Sequence, residues 1–278
     1  MSNVELIFFW ITVTMYALAS GGYIYSMASK NSRLPSRLLL ALAAAFCCHS
    51  ATIAARYKVV GHLPWAGDYE SALMGGWFII AVTLILGWRN KTLQGLAIGT
   101  VPLVVLMMGF GYMRNPLLAP LAGNLKSYWL YIHVYFAWLA FGSYALAMAA
   151  GILYLQQKKR PLRAGENGLT SRIPSVERLD ELIFRFVIFG FVNDSLMMAA
   201  GSIWAKGLWG SYWSWDPIES WSLISWLIYG SVIHMRVIFG WTGPRLAWMA
   251  IAAFSTVVMS FFGVGLMDGS LHIFNTNP

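Results

Sequence analysis

The chain has 278 residues, of which 58% are hydrophobic and only 11% charged. A soluble domain carries about 25% charged residues, so this chain has too little charge to cover a water-facing surface. The net charge of +8 does not imply a nucleic-acid partner, because Lys and Arg sit in connections between long apolar runs, as in membrane loops. An all-α polytopic integral membrane protein is the class that remains, since apolar runs of about 20 residues are what a hydrocarbon core demands.

Taken in order, the runs predict about eight transmembrane helices, within a single membrane domain 1–278. They cover about 4–28, 38–55, 72–88, 93–113, 129–155, 181–203, 217–236 and 246–266. No Lys or Arg precedes the first run, which therefore reads as a retained span rather than a cleaved leader. The second run holds His49 and the adjacent cysteines Cys47 and Cys48, whose spacing supports neither a disulfide framework nor a zinc site. Pro102 predicts a kink in the fourth. The longest polar segment, 156–180, is basic, and the tryptophan-rich loop 204–219 joins the sixth and seventh spans.

Counting Lys and Arg in alternate connections gives thirteen on one side and five on the other. The richer side is expected to face the cytoplasm. Both termini, the tryptophan-rich loop, His62, His133 and His272 then lie on the outer side, and His234 lies near the inner face.

Five of the fourteen tryptophans fall between Trp204 and Trp221, read as W-A-K-G-L-W-G-S-Y-W-S-W-D-P-I-E-S-W. Trp and Tyr commonly form belts at membrane interfaces, but a belt would spread them over all the loops. Crowding Trp209, Trp213, Trp215 and Trp221 into one connection predicts a platform for a flat apolar ligand. In Asp216-Pro217-Ile218-Glu219, Asp at the N-cap, Pro at N1 and Glu at N3 form a capping box for the seventh span.

Histidine is scarce in membrane segments and marks function by default. His133 and His272 flank the loop in sequence, and two imidazoles on opposite faces of an aromatic slot suit axial ligation of a haem iron. His234 lies eighteen residues beyond Asp216, about 27 Å along a helix, so it belongs to a second location, with Arg236 available for a propionate. His49 is a weak further ligand. Asp194 stands within the sixth span, where an acid needs a polar surrounding or a bond to a neighbouring helix.

The loop W-G-S-Y-W-S-W-D-P-I-E-S-W resembles the tryptophan-rich (WWD) signature of the haem-handling proteins of cytochrome c maturation. Within them the chain is similar to the CcsA/ResC type of system II, a name partly shared with CcsB. Ile218 and Ser220 stand where Lys and Thr are common. His49 with Arg56, the segment G-H-L-P-W-A-G-D-Y-E-S from Gly61, L-Y-I-H-V at His133, I-H-M-R at His234 and L-H at His272 resemble further family motifs in the same order. Gly67-Asp68 departs from the usual Ser-Asn, and Asp194 falls where the family is usually apolar.

The resemblance implies haem export and presentation, with haem b as ligand. It also implies covalent attachment to an apocytochrome c bearing C-x-x-C-H, as a lyase or synthetase component. It implies a CcsB/ResB-type membrane subunit as partner. The alternatives are a system I-like handler that loads a haem chaperone, a di-haem electron-transfer cytochrome, or a transporter of another flat molecule. A bacterial plasma membrane is the expected location, ahead of the thylakoid.

Overall fold

The computed structural model describes residues 1–29, 31, 33–65, 67–114, 127–159 and 173–263. Each long apolar run forms a helix whose ends are set by identifiable caps. Helix α1 (Asn3–Ala28) starts at Ser2, whose hydroxyl accepts from the Glu5 amide while the Glu5 carboxylate accepts from the Ser2 amide. Helix α2 (Leu34–Val60) carries Pro35 in its first turn and stops at Gly61, which takes the left-handed conformation (φ 75°) that costs glycine nothing. Helix α3 (Gly67–Arg89) is followed by a 3-10 turn (Lys91–Leu96) capped by Asn90, and then by α4 (Ala97–Arg114), with Pro102 inside it.

Helices α5 (Tyr128–Lys159) and α6 (Val176–Trp209) are the longest, at 32 and 34 residues. Helix α7 (Pro217–Val237) and helix α8 (Pro244–Val258) both open on a proline, and α8 runs into a π turn, Met259–Gly263. No strand occurs among the described residues. The fold is therefore all-α and polytopic. Among the described residues seven helices are long and apolar enough to cross a membrane, counting α4 with its 3-10 turn and α8 with its π turn. Helix α7 is not among the seven. Its four serines, Glu219, His234 and Arg236 dilute its apolar residues, so seven of the about eight spans expected from the sequence stand out by length and apolarity.

Helices α1 to α4 pack on one another, as do α5 to α8, and α5 joins the groups through α3 and α4. Helix α5 is the most buried of the spanning helices. It approaches α3 closely because Gly75 leaves room for the Trp138 ring; a Cβ there would lie 2.2 Å from it. The largest fully buried side chains include Tyr16, Tyr23, Phe141, Tyr144 and Tyr229, while Leu18, Leu40, Leu106 and Met113 face outward. An apolar exterior around a partly polar interior is what a lipid-embedded bundle requires.

At the end of the bundle formed by the start of α1, the close of α2 and the start of α3, three charges meet inside the protein. Arg56 Nε donates to Glu70 at 2.8 Å and its Nη1 lies 3.6 Å from Glu5. The Tyr69 hydroxyl donates to Glu5 at 3.0 Å. Arg56, Glu5 and Glu70 are exposed by only 3%, 0% and 2%. One guanidinium thus ties three helices, and Arg114 with Asp68 repeats the device between α4 and α3 in a more exposed position. Substituting Arg56→Met leaves two buried carboxylates without their shared cation and is expected to cost about 3–5 kcal/mol. Arg114→Met should cost no more than about 1 kcal/mol. Thermal unfolding of both variants in the same detergent checks the contrast.

Candidate functional site

Helix α6 ends at Gly210, again left-handed (φ 77°), whose amide donates to the Lys206 carbonyl. The Lys206 ammonium returns a bond to the Gly210 carbonyl at 2.6 Å and lies over the Tyr212 ring, 5.4 Å from its centroid. Beyond this the loop is folded on one side chain. Glu219 accepts from the Ser214 amide at 2.7 Å, from the Ser214 hydroxyl at 3.1 Å and from the Asp216 amide at 3.3 Å. Asp216 in turn accepts from the Ile218 amide at 2.9 Å, completing the capping box expected from the sequence. Asp216 and Glu219 are both buried. The pair is spent on holding the loop and starting α7.

Held in this way, the loop displays its rings. Trp215 sits at φ 59°, a left-handed backbone that a bulky residue rarely adopts. Its side chain is 72% exposed. It meets Trp213 edge to face, with ring centroids 5.9 Å apart. Trp213 is half-buried, and its Nε1 has no hydrogen-bond partner among the described residues. Trp209 packs edge to face on buried Trp204, and Trp221 is half-buried in the first turns of α7.

His133, near the start of α5, lies beneath this loop. Its Nδ1 is 2.8 Å from the Met197 carbonyl of α6, and its ring lies nearly parallel to Trp204. A ring nitrogen facing a carbonyl must donate, so the neutral imidazole carries its lone pair on Nε2. A histidine oriented through its other nitrogen by a carbonyl is the usual arrangement of a metal ligand. The approach is possible because of Gly201. In a helix, residue 201 stands one turn above the carbonyl of 197, and a Cβ at Gly201 would lie 2.5 Å from His133 Nδ1.

His133, Trp204, Tyr212, Trp213, Glu219 and Ser222 line a cavity of about 50 Å³. Pockets that enclose drug-sized ligands have about 300–1,000 Å³, so a porphyrin would rest on the exposed rings rather than inside this space.

The structure separates the remaining residues. His234 is exposed near the far end of α7, edge to face with Phe239. Since α7 is continuous from Pro217 to Val237, His234 and Asp216 stand at opposite ends of one helix. Arg236 differs from expectation. Its guanidinium pairs with Asp180 at 2.8 Å, donates to the Trp241 carbonyl at 3.2 Å and covers the Phe184 ring. Asp180 also accepts from the Gly243 amide. The guanidinium is thus committed to a knot joining α6, α7 and the α7–α8 turn, which sequence spacing could not reveal. His49 is fully buried in α2, its Nδ1 3.1 Å from the Tyr16 hydroxyl and its ring against Gly76. That is the setting of a packed core histidine. His272 lies outside the described residues. Among the described residues no group of three or more His, Cys, Asp or Glu is placed to hold a metal ion.

The model of the family described as cytochrome C assembly protein matches residues 65–272. The chain belongs to that family. The matched stretch contains His133, the whole tryptophan loop and His234, and leaves His49 outside. The cytochrome c biogenesis protein CcsA of Guillardia theta is 31% identical over 237 residues, covering 78% of both chains. The CcsA of Prochlorococcus marinus (strain NATL2A) is 28% identical over 279 residues, covering 89% of this chain and 87% of its own. In fold the chain is similar to the cytochrome c haem lyase CcmF, with a TM-score of 0.70 at 16% identity, covering 93% of this chain. It spans 46% of that lyase, so it is about half as long.

Gly201 and Glu219 are the site residues that sequence reading passed over or read as a cap alone. Gly201→Ala is expected to drive His133 off the Met197 carbonyl, moving its proton to Nε2, as ¹⁵N NMR of the ring would show. Gly207→Ala, where a Cβ meets nothing within 4 Å, should leave the tautomer unchanged and stabilise α6 by up to about 1 kcal/mol.

Proposed function

We propose that the chain handles haem for cytochrome c maturation, holding haem b on the tryptophan loop and presenting it for covalent attachment. The observation that carries this reading is His133: its Nδ1 is bonded to the Met197 carbonyl, its ring lies nearly parallel to Trp204, and it lines one cavity with Tyr212 and Trp213 of the loop. His133 would be one axial ligand and His272 the other. Trp209, Trp213, Trp215 and Trp221 would form the apolar platform, with Asp216 fixing its exit helix. His234 alone, exposed near the far end of α7, would mark a separate inner station on the haem route. Family membership and the CcsA relatives support the same assignment.

In the attachment step each thiol of a C-x-x-C-H apocytochrome adds across a haem vinyl group. The S–H bond breaks, a C–S bond forms, and the hydrogen ends on the other vinyl carbon, with no electron left over. The porphyrin supplies the reactive group. This chain's residues supply orientation, which makes a two-body addition effectively intramolecular. The loop's exposed face leaves room for the peptide to approach.

The finer placement belongs to the same proposal. The chain would act as the lyase component of a system II synthetase with a CcsB/ResB-type subunit, in a bacterial plasma membrane or, less favoured, a thylakoid. Helix α7, although the least apolar, would complete eight spans because it is shielded by α6 and α8. Both termini would then share the outer side with the loop.

Purified with its partner, the wild-type chain is expected to show a haem spectrum. His133→Ala should weaken haem retention by at least about tenfold and abolish maturation of a co-expressed C-x-x-C-H substrate. Wild-type protein without haem, together with undiminished maturation in His133→Ala, would falsify the proposal. Bound haem beside an unmodified substrate would favour export or electron transfer instead.

A further inference from the structure

Helices α5 to α8 enclose an acid that the tryptophan loop does not use. Asp194 lies fifteen residues below Trp209 on α6, about 22 Å along the axis, and is 5% exposed. At that depth a carboxyl needs a cation, hydrogen-bond donors or a proton. The Tyr144 hydroxyl of α5 donates to it at 3.1 Å. Facing the same space are Ser222 and Ser225 of α7 and Ser260 of the π turn. Asn193, its neighbour in sequence, spends its amide on the Phe189 carbonyl. The ring of Tyr229 stacks on Tyr144, and its buried hydroxyl has no hydrogen-bond partner among the described residues. None of these groups is a cation.

Beside the carboxyl is a void of about 10 Å³, walled in part by Asp194, Tyr144, Ser222, Ser225 and Ser260. That is about the least space one water occupies, and the wall offers more than the two polar partners a buried water needs. The Ser222 and Ser260 hydroxyls are 3.0 Å apart. Ser222 and Met197 also line the cavity under the tryptophan loop. A polar wall therefore runs from Asp194 to the candidate site, inside a bundle whose other interior surfaces are mostly apolar.

We propose that Asp194 is a buried protonated carboxyl that exchanges its proton with the tryptophan-loop cavity, through one ordered water and the Ser260–Ser222 hydroxyl pair. In each exchange the Asp194 O–H bond breaks and the water takes the proton. The water passes one of its own to the Ser260 hydroxyl, which hands one to Ser222, and Ser222 releases one to water in the loop cavity. Reprotonation runs in reverse, and no electron moves. The carboxyl thus gives the floor of the site one reversible negative charge. This holds whether or not the ligand above is haem.

The test is infrared spectroscopy of the full chain in lipid bilayers, read at the C=O stretch of protonated carboxyls. At neutral pH a band is expected that shifts in D2O, moves on ¹³C-aspartate labelling and disappears in Asp194→Asn. In Ser222→Ala the same band should remain, with its D2O shift developing more slowly. The labelled wild-type band assigns the proton to aspartate even if Asp194→Asn does not fold. Absence of an aspartate band at neutral pH, or its survival in Asp194→Asn, overturns the proposal. An exchange rate unchanged by Ser222→Ala overturns the route.

Discussion

Arg56 meets Glu5 and Glu70 at one end of the bundle, and Arg236 meets Asp180 at the other. The surrounding lipid offers no water to satisfy a stray charge, so each pairing fixes which helices must be neighbours and at what height. The first binds α1, α2 and α3. The second binds α6 to α7 and, through the Gly243 amide, to the turn before α8. Helix α5 lies between these clamped groups. The register in which His133 arrives beneath the tryptophan loop depends on both clamps.

The loop itself is an instance of economy in polar groups. The Glu219 carboxylate gathers two backbone amides and a hydroxyl, and the Asp216 carboxylate gathers another amide, so α7 can begin without exposed donors. Two large rings, Tyr212 and Trp215, are left facing outward, with exposed Ser211 and Ser214 beside them and half-buried Trp213 between them in sequence. The carboxylate bonds hold the backbone that carries these rings, so the surface they offer is fixed in shape. A floppy chain with the same tryptophans would collapse onto itself.

Much of this was legible from residue order, because apolar runs and helix caps are local signals. The capping box at Asp216 was read from four consecutive residues, and Asp194 needed a neighbour's hydrogen bond and has one in Tyr144. The separation of His234 from the loop followed from helical rise. Contacts between distant segments were not legible. Glu5 sits in an apolar run, which signals that a cation must come from elsewhere, but nothing local names Arg56. Arg236 looked available because Asp180, its partner, belongs to another helix. Helix α7 was counted with the other spans on length, although its serines and charges set it apart. Gly201 gave no sign at all, since its reason for lacking a side chain is a histidine sixty-eight positions away.

That last relation has a consequence for how such chains can diverge. The imidazole of His133 reaches the Met197 carbonyl only through the gap that Gly201 leaves. Neither residue is useful in this role without the other. A lineage that replaced the glycine would lose the histidine's orientation while keeping its name in the sequence. The two positions are therefore one steric requirement written in two helices, and a side chain added at the first must be answered by a shift of the imidazole at the second.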